Sequence, residues 1–553
     1  MPARISRKLR MRKETKKMNE AEKNYGKSGY LWILLILGLP AISILPLLLG
    51  LIRGGAYFSG CLENIHDQNI YFSFISQARD GFLLFINAPC SIVHEREYVN
   101  FTFLAIGWFS RLSGLPMELS YVLFSYLFGV AVCFCLAGLF LGLIKNQIAA
   151  ALGLCAAWMG AGFGVLYKIA FMAKGVSIDK MNMTSVSGDL WMPEMTIWHS
   201  ALYSPLFISS YLMVILAYGG IWFAEKRERL FPLAVSAAAV FYLALSHTYD
   251  IVPVAMISFA LMLMFRIEKK KLWKPRLLAG YLLFVIGLLG GTAYQYYVLK
   301  HNPGFSVWAD QNVNKSPPFH IILAGFGFLS LGFAELALLI AYERRKMDLA
   351  LKFLGFWLVF QTLLLYSPFP FSRRFILGII IPLSFFFILF LMRLWKKGNA
   401  ARIIAVALFL GTLPTFIYQE LANAGKAVSR DQRYFFAGDR SSAYKAMSPL
   451  ATRDVIMGSL EESNCILRFT RAQMACASQQ QSSPGAKEAL GKILAGDSSG
   501  LDGYLRKNRI THIFLDKKAQ ALFISSNRSF LDSQNVFYEN GGYIVYKVHG
   551  YGN

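Results

Sequence analysis

The chain has 553 residues, 55% of them hydrophobic and only 16% charged, with a formal net charge of +24. A soluble globular domain carries about 25% charged residues, so this composition excludes a wholly soluble protein. The positive charge is concentrated in short segments between apolar runs, which makes it an orientation signal and excludes a nucleic-acid footprint as its meaning.

A basic tail, 1–28, precedes the run "GYLWILLILGLPAISILPLLLGLI", Gly29–Ile52. This run exceeds the ~20 residues needed to cross a bilayer, and no small-residue cleavage site follows, so it reads as a retained signal anchor. Hydropathy places ten further spans at 119–144, 147–171, 201–223, 230–246, 251–265, 277–298, 319–341, 350–366, 375–392 and 403–419. With eleven spans, the tail, Lys145 and the segments 225–229, 266–276, 343–352 and 393–402 all fall on one side, and together they hold +20 of the +24. That side is the cytoplasm by the positive-inside rule. The loops 54–118 and 172–200 and the region 420–553 are then exoplasmic.

In the first of these loops Ile70, Phe72, Phe74, Ile75 and Ala78 recur at helical spacing, which predicts short amphipathic helices lying on the membrane surface. Beyond residue 419 the apolar runs stop. "DVIMGS", "CILRF", "THIFLD", "VFYENG" and "YIVYKV" read as strands, "AKEALGKILAG" and "LDGYLRKNR" as helices, and "ASQQQSSPGA" as a loop. The predicted architecture is an all-α polytopic membrane bundle over 29–419, followed by an exoplasmic α/β domain over 420–553 that is large enough for its own core.

Of seven cysteines, Cys133, Cys135 and Cys155 lie in spans and read as small core residues. Cys61 and Cys90 share the first outer loop, and Cys465 and Cys476 share the C-terminal region. In an oxidising compartment these two pairs predict two disulfides. The sequons at Asn100, Asn182, Asn314 and Asn527 all fall outside and matter only in a glycosylating host.

The outer ends of the spans collect a specific set of ionisable residues. They are His66 and Asp67 in "ENIHDQNIYF", Asp189 and Glu194 in "SGDLWMPEMTIWHS", His247 and Asp250 in "SHTYD", Lys300 and His301 in "LKHNPGF", and Arg373 and Arg374 in "SPFPFSRRF". Carboxylates beside cations on one face suit chemistry on a phosphate-bearing lipid, where cations hold phosphate and a carboxylate takes a proton from an attacking hydroxyl. Each has a structural alternative. Asp67 could cap a helix opening at Gln68, and Asp189 could close a turn. His247 and Asp250 could be interfacial polar residues, and the two arginines interfacial anchors. The arginines run against the positive-inside bias, which favours an anionic partner. Lys168 and Glu335 lie within spans and belong to no motif. Carboxylates could hold a divalent metal, but no spacing demands one, and no cofactor is indicated.

The run from "HDQNIYFSFISQARDG" through "YVNFTFLAIGWFSRLSGLP", followed in order by "DLWMPE", "SHTYDIVPV", "VLKHNPGFSVWADQNVNKSPP" and "RRFILGIIIPLSF", resembles the GT-C glycosyltransferases. The resemblance implies an eleven-to-thirteen-span bundle with an outer active site and a polyprenyl-phosphate-linked sugar as donor. It implies a catalytic base at Asp67, an assisting acid at Asp189 or Glu194, and a donor phosphate on Arg373 or Arg374. Lys300, His66 and His247, read from the polar cluster itself, are further candidate binding residues. Two departures disfavour protein acceptors. Asp67-Gln68 stands where protein O-mannosyltransferases have Asp-Glu, without their following His-Pro-Pro, and the oligosaccharyltransferase signature WWDYG is absent. The expectation is therefore a membrane glycosyltransferase acting on a glycan or glycolipid hydroxyl in the cell envelope. The alternatives are a flippase for a lipid-linked glycan and a non-catalytic envelope scaffold. A transporter places ionisable groups near the midplane, whereas here they crowd the outer rim.

Overall fold

The computed structural model describes residues 29–176, 185–270, 274–436, 438–478, 482, 485–497 and 500–551. The tail 1–28, the Asn182 sequon and most of the Gln/Ser-rich 479–484 stretch lie outside the described residues.

Helix α1 (Gly29–Gly54) opens the bundle, and α2 (Ile65–Arg79) and α3 (Phe101–Ser113) precede the return of the chain as α4 (Met117–Leu143). The single span expected at 147–171 is two helices, α5 (Gln147–Met159) and α6 (Gly164–Ala173), meeting at 45°. The short α7 (Ile197–Tyr203) leads into α8 (Pro205–Arg227), α9 (Leu230–Ser246), α10 (Ile251–Lys269), α11 (Pro275–His301) and α12 (Pro303–Gln311). Helices α13 (Phe319–Phe326), α14 (Leu331–Glu343), α15 (Leu349–Leu364), α16 (Ile380–Trp395), α17 (Asn399–Leu410) and α18 (Pro414–Ser429) complete the apolar region. Among the described residues eight helices are long and apolar enough to cross a membrane, or nine with the bent pair counted. The shorter apolar helices α9 and α15, 17 and 16 residues long, account for the other two expected segments.

Local sequence explains where these helices begin. Proline takes the first position of α8, α11 and α18, where its missing N–H costs no hydrogen bond. Asn100 and Asn146 cap α3 and α5 by accepting from Phe103 N at 3.2 Å and Ala149 N at 3.0 Å. Asn100 is thereby buried and committed to the fold, whatever its sequon.

Segment 54–118 departs from the expected surface helices. In α2, Gln68, Asn69, Ile70, Phe72 and Ile75 are buried. One side packs on α3 at Gly107, where a Cβ would lie 2.5 Å from Ala78 Cβ and 2.6 Å from Ile75 O. Another side is covered by the C-terminal region, whose core is continuous with that of α2 and α3.

That region contains α19 (Gly438–Ala446), β1 (Val455–Met457), α20 (Leu460–Ile466), β2 (Gln473–Met474), α21 (Ala486–Leu494), α22 (Leu501–Lys507), β3 (His512–Asp516), α23 (Lys517–Leu531), β4 (Asn535–Glu539) and β5 (Tyr543–Lys547). The sheet order is β2-β1-β3-β5-β4, parallel on the β2 side and antiparallel from β3 onward. "CILRF" is not a strand. Its first two residues end α20, because Ser459 caps that helix by accepting from Glu462 N at 3.2 Å and two glutamates occupy its first turn.

Neither expected disulfide forms. Successive residues of β1 and β3 point to opposite faces of the sheet. Cys465 packs on the face with Ile456 and Phe514, whereas Cys476 packs on the other with Val455, Met457 and Ile513. Cys465 Sγ instead lies 3.7 Å from Asn69 Nδ2 and 3.9 Å from Arg440 Nη2. Cys61 packs with the bundle core, its Sγ 3.4 Å from Ser59 Oγ, while Cys90 sits in a turn closed by its N–H on Asn87 O at 3.0 Å.

Candidate active site

Helix α2 opens at Ile65, two residues before Asp67. Its cap is Asn64, held at φ 37°, whose Oδ1 accepts from Asp67 N at 3.4 Å. Asp67 therefore occupies the third helical position and is not the cap. Its Oδ2 accepts from Asn64 Nδ2 at 2.7 Å and from the Tyr203 hydroxyl at 3.3 Å. The carboxylate is half-buried, so it is oriented by two donors and still open to a reactant.

Helix α7 fixes those donors. Gln68 Nε2 donates to Tyr203 O at 2.7 Å, Tyr121 donates to Gln68 Oε1, and the Tyr121 hydroxyl also meets Ser204 Oγ at 2.9 Å. Neither Asn64 nor Tyr203 stood out in the sequence. "YSP", a tyrosine just before a helix-opening Pro205, was the available signal.

The two arginines lie in the turn Ser372–Ile376 that opens the α16 span. Both guanidinium groups lie within electrostatic reach of the Asp67 carboxylate. Their partners differ. Arg374 ion-pairs with the buried Glu194 Oε1 and sits 5.8 Å above the Phe207 ring and 5.9 Å from Tyr249. Arg373 has no carboxylate partner among the described residues and lies 5.0 Å from the Trp191 ring. It is the guanidinium left free to meet an anion. His247 completes this wall, with its Nδ1 2.8 Å from Asp250 Oδ2 and its ring against Phe207 and Tyr249. Burial first, and then the Asp67 charge, pushes the Tyr71 hydroxyl well above its ordinary value, so it stays a neutral hydroxyl beside the carboxylate.

Buried polar groups in proteins are nearly always paired. In the 194–199 segment and the arginine pair, Glu194 Oε2, Thr196 Oγ1, Trp198 Nε1, His199 Nδ1, Arg373 Nε and Arg374 Nε are buried without a protein partner among the described residues. These atoms are available to hydrogen-bond a polar ligand.

The remaining candidates are placed elsewhere. Asp189 is fully buried at the break between α5 and α6, where Oδ2 accepts from Gly162 N at 2.8 Å and Gly164 N at 3.2 Å, and Oδ1 from Ser187 Oγ at 2.5 Å. Burial raises its carboxyl to about 6 against the pull of those hydrogen bonds. The glycines of "MGAGFG" permit this approach, since a Cβ on Gly164 would lie 2.7 Å from Asp189 Oδ1. Asp189 thus ties a broken span to the 185–200 segment. Lys300 is exposed and extends along Tyr296, and the His66 side chain is exposed.

Glu63, passed over in the sequence, is held by His199 Nε2 at 2.6 Å and Asn423 Nδ2 at 2.7 Å. Burial raises its carboxyl, but His199, Lys426 and Asn423 outweigh that and bring it down to about 2. It joins the start of α2 to α7 and α18. Among the described residues no group of three or more His, Cys, Asp or Glu converges as a metal site.

The chain superposes over nearly its whole length on ArnT from Cupriavidus metallidurans. The structure bound to undecaprenyl phosphate aligns over 93% of this chain and 97% of that one, at 12% identity and a TM-score of 0.54. The fold is GT-C-like. The apo ArnT structure aligns over 94% and 98%, at 12% identity and a TM-score of 0.52. No family model matches the sequence, and no curated protein matches it. The likeness is one of fold, a multi-pass helical bundle followed by a C-terminal sheet-containing region.

Proposed function

We propose that this chain is an inverting glycosyltransferase that moves a sugar from a polyprenyl-phosphate donor to an acceptor hydroxyl of a cell-envelope glycan or glycolipid. The work is done on the exoplasmic face of a bacterial inner membrane, an orientation supported by the +20 held on one side of the eleven segments. The observation that carries the reading is the juxtaposition of the oriented Asp67 carboxylate with the unpaired Arg373 and the Glu194-paired Arg374. The likeness to a structure of ArnT bound to undecaprenyl phosphate supports the lipid class.

The acceptor oxygen attacks the anomeric carbon from the face opposite the phosphate. Asp67 takes the hydroxyl proton as the new C–O bond forms. The sugar–phosphate C–O bond breaks, and polyprenyl phosphate leaves with the bonding electrons. Arg373 meets the phosphate oxygens in a bidentate fork, and its charge stabilises the leaving group as it develops. A single displacement inverts the anomeric configuration.

The test uses membranes from a strain lacking the gene, in which unconsumed donor accumulates. Purified protein added to them should release free polyprenyl phosphate, measured by mass spectrometry, and the Asp67→Asn protein should not. Failure of the wild-type protein to release it, with no glycolipid change in the strain, would overturn the reading.

A further inference from the structure

The C-terminal region reaches the catalytic helix through side chains that the proposed mechanism does not use. Asn464, on α20, is fully buried. Its Nδ2 donates to the main-chain carbonyl of His66 at 3.0 Å and to Ala477 O at 3.0 Å, while its Oδ1 accepts from Asn69 Nδ2 at 2.9 Å. Arg468, 3% exposed, continues the seam. It donates to Asn69 Oδ1 at 3.4 Å, Ser59 O at 2.8 Å and Glu118 Oε1 at 2.9 Å, and it lies 3.9 Å above the Phe72 ring.

These contacts bracket Asp67, since His66 precedes it and Asn69 follows two residues later. The three side chains sit where the apolar core of α2 and α3 meets that of the sheet. A buried polar network at that place costs desolvation that an apolar seam would avoid, and what it adds is a single register between the two parts.

We infer that Asn464 is a positioning residue for the glycosyl transfer: through the His66 carbonyl it sets the first turn of α2, and so the direction of the Asp67 carboxylate. The C-terminal region is then a working wall of the active site. This rests on Asp67 as the base. Displacing a catalytic group by about 1 Å can cost on the order of 100-fold in rate.

The experiment compares detergent-solubilised full-length variants for polyprenyl phosphate release from donor-loaded membranes, for binding of undecaprenyl phosphate, and for amide exchange over residues 65–69. Asn464→Ala should lower kcat roughly 10- to 100-fold, leave the donor KM and the undecaprenyl phosphate Kd within about threefold, and speed exchange at the start of α2. Asp80→Asn removes the exposed Arg471–Asp80 ion pair between the same two parts, 2.6 Å long, and should change none of these. Where Asn464→Ala does not fold, Asn464→Asp keeps the acceptor for Asn69, loses the donor to His66, and should show the same split. Unchanged kcat in a folded Asn464 variant overturns the inference, as does an equal loss in Asp80→Asn. An Asp67→Asn enzyme with full turnover overturns the underlying reading instead. An inactive Asp67→Asn enzyme beside a normal Asn464→Ala enzyme overturns only the positioning role.

Discussion

Asp67→Asn separates capping from catalysis because α2 already has its cap. Asn64 fills that place, so the substitution leaves the Asn64 Oδ1 bond to the residue-67 amide intact. What disappears is a negative charge in the first helical turn, about 0.3–1 kcal/mol. The charge assistance in the bonds from Asn64 Nδ2 at 2.7 Å and Tyr203 at 3.3 Å disappears as well. The new amide oxygen can still accept one of them, so the total loss of stability should be about 1–2 kcal/mol. Removing a general base lowers turnover by roughly 100- to 10,000-fold, which raises the barrier by about 3–5.5 kcal/mol. Thermal unfolding in detergent measures the first quantity and polyprenyl phosphate release the second. A slightly destabilised protein with turnover down at least about 100-fold is the expected result. A folded Asp67→Asn protein keeping half its turnover would refute the assignment and leave Glu194 as the acid nearest the arginines.

The arginine pair should behave unequally. Arg373→Ala should fold and bind undecaprenyl phosphate about 10- to 100-fold more weakly, with Arg373→Lys recovering only part, whereas Arg374→Ala strands the buried Glu194 carboxylate and should cost about 3–5 kcal/mol of stability. Asp189→Ala should destabilise by about 3–5 kcal/mol by orphaning Gly162 N, Gly164 N and Ser187, while the folded fraction keeps its turnover; a stable but inactive variant would restore Asp189 to the chemistry. Glu63 is held at about 2, below its ordinary 4.5. Its contribution of about 3 kcal/mol is therefore present above pH 4.5 and lost as pH falls toward 2. Glu63→Gln should lower thermal stability at pH 7 and converge on wild type only as pH falls through about 2. Under non-reducing denaturing conditions an alkylating reagent should label Cys61, Cys465 and Cys476 as thiols; a recovered Cys465–Cys476 cross-linked peptide would contradict the opposite-face packing.

The spans were legible because twenty apolar residues have few other uses, and the charge-bearing rim was legible because ionised groups are excluded from hydrocarbon. The role of each rim residue was not, because it depends on neighbours distant in sequence. Asp189 and Glu194 are five residues apart and equally acidic, yet one holds the N–H groups of Gly162 and Gly164 and the other an arginine 180 residues away. The glycine spacing of "MGAGFG" was the one local sign that a span breaks there and that something must satisfy the freed backbone. Cysteine parity misled for a related reason. Cys465 and Cys476 are close along the chain, but a sheet lies between them.

Helix α2 shows most clearly where periodicity stops informing. A stripe of Ile70, Phe72, Phe74 and Ile75 says that one side of the helix avoids water, and a membrane surface satisfies that as well as a protein core does. The polar residues carry the distinction. A helix on the membrane surface would turn Gln68 and Asn69 to water, where their amides need no partners. Here both are fully buried, and each is bonded to a side chain or carbonyl from another part of the chain. Burying two amides is tolerable only if every partner is supplied, and those partners come from α4, α7 and α20. The helix bearing Asp67 is thus set by three separate pieces of chain at once, which is the rigidity a general base needs when its carboxylate must face a phosphate-bearing substrate within a fraction of an ångström.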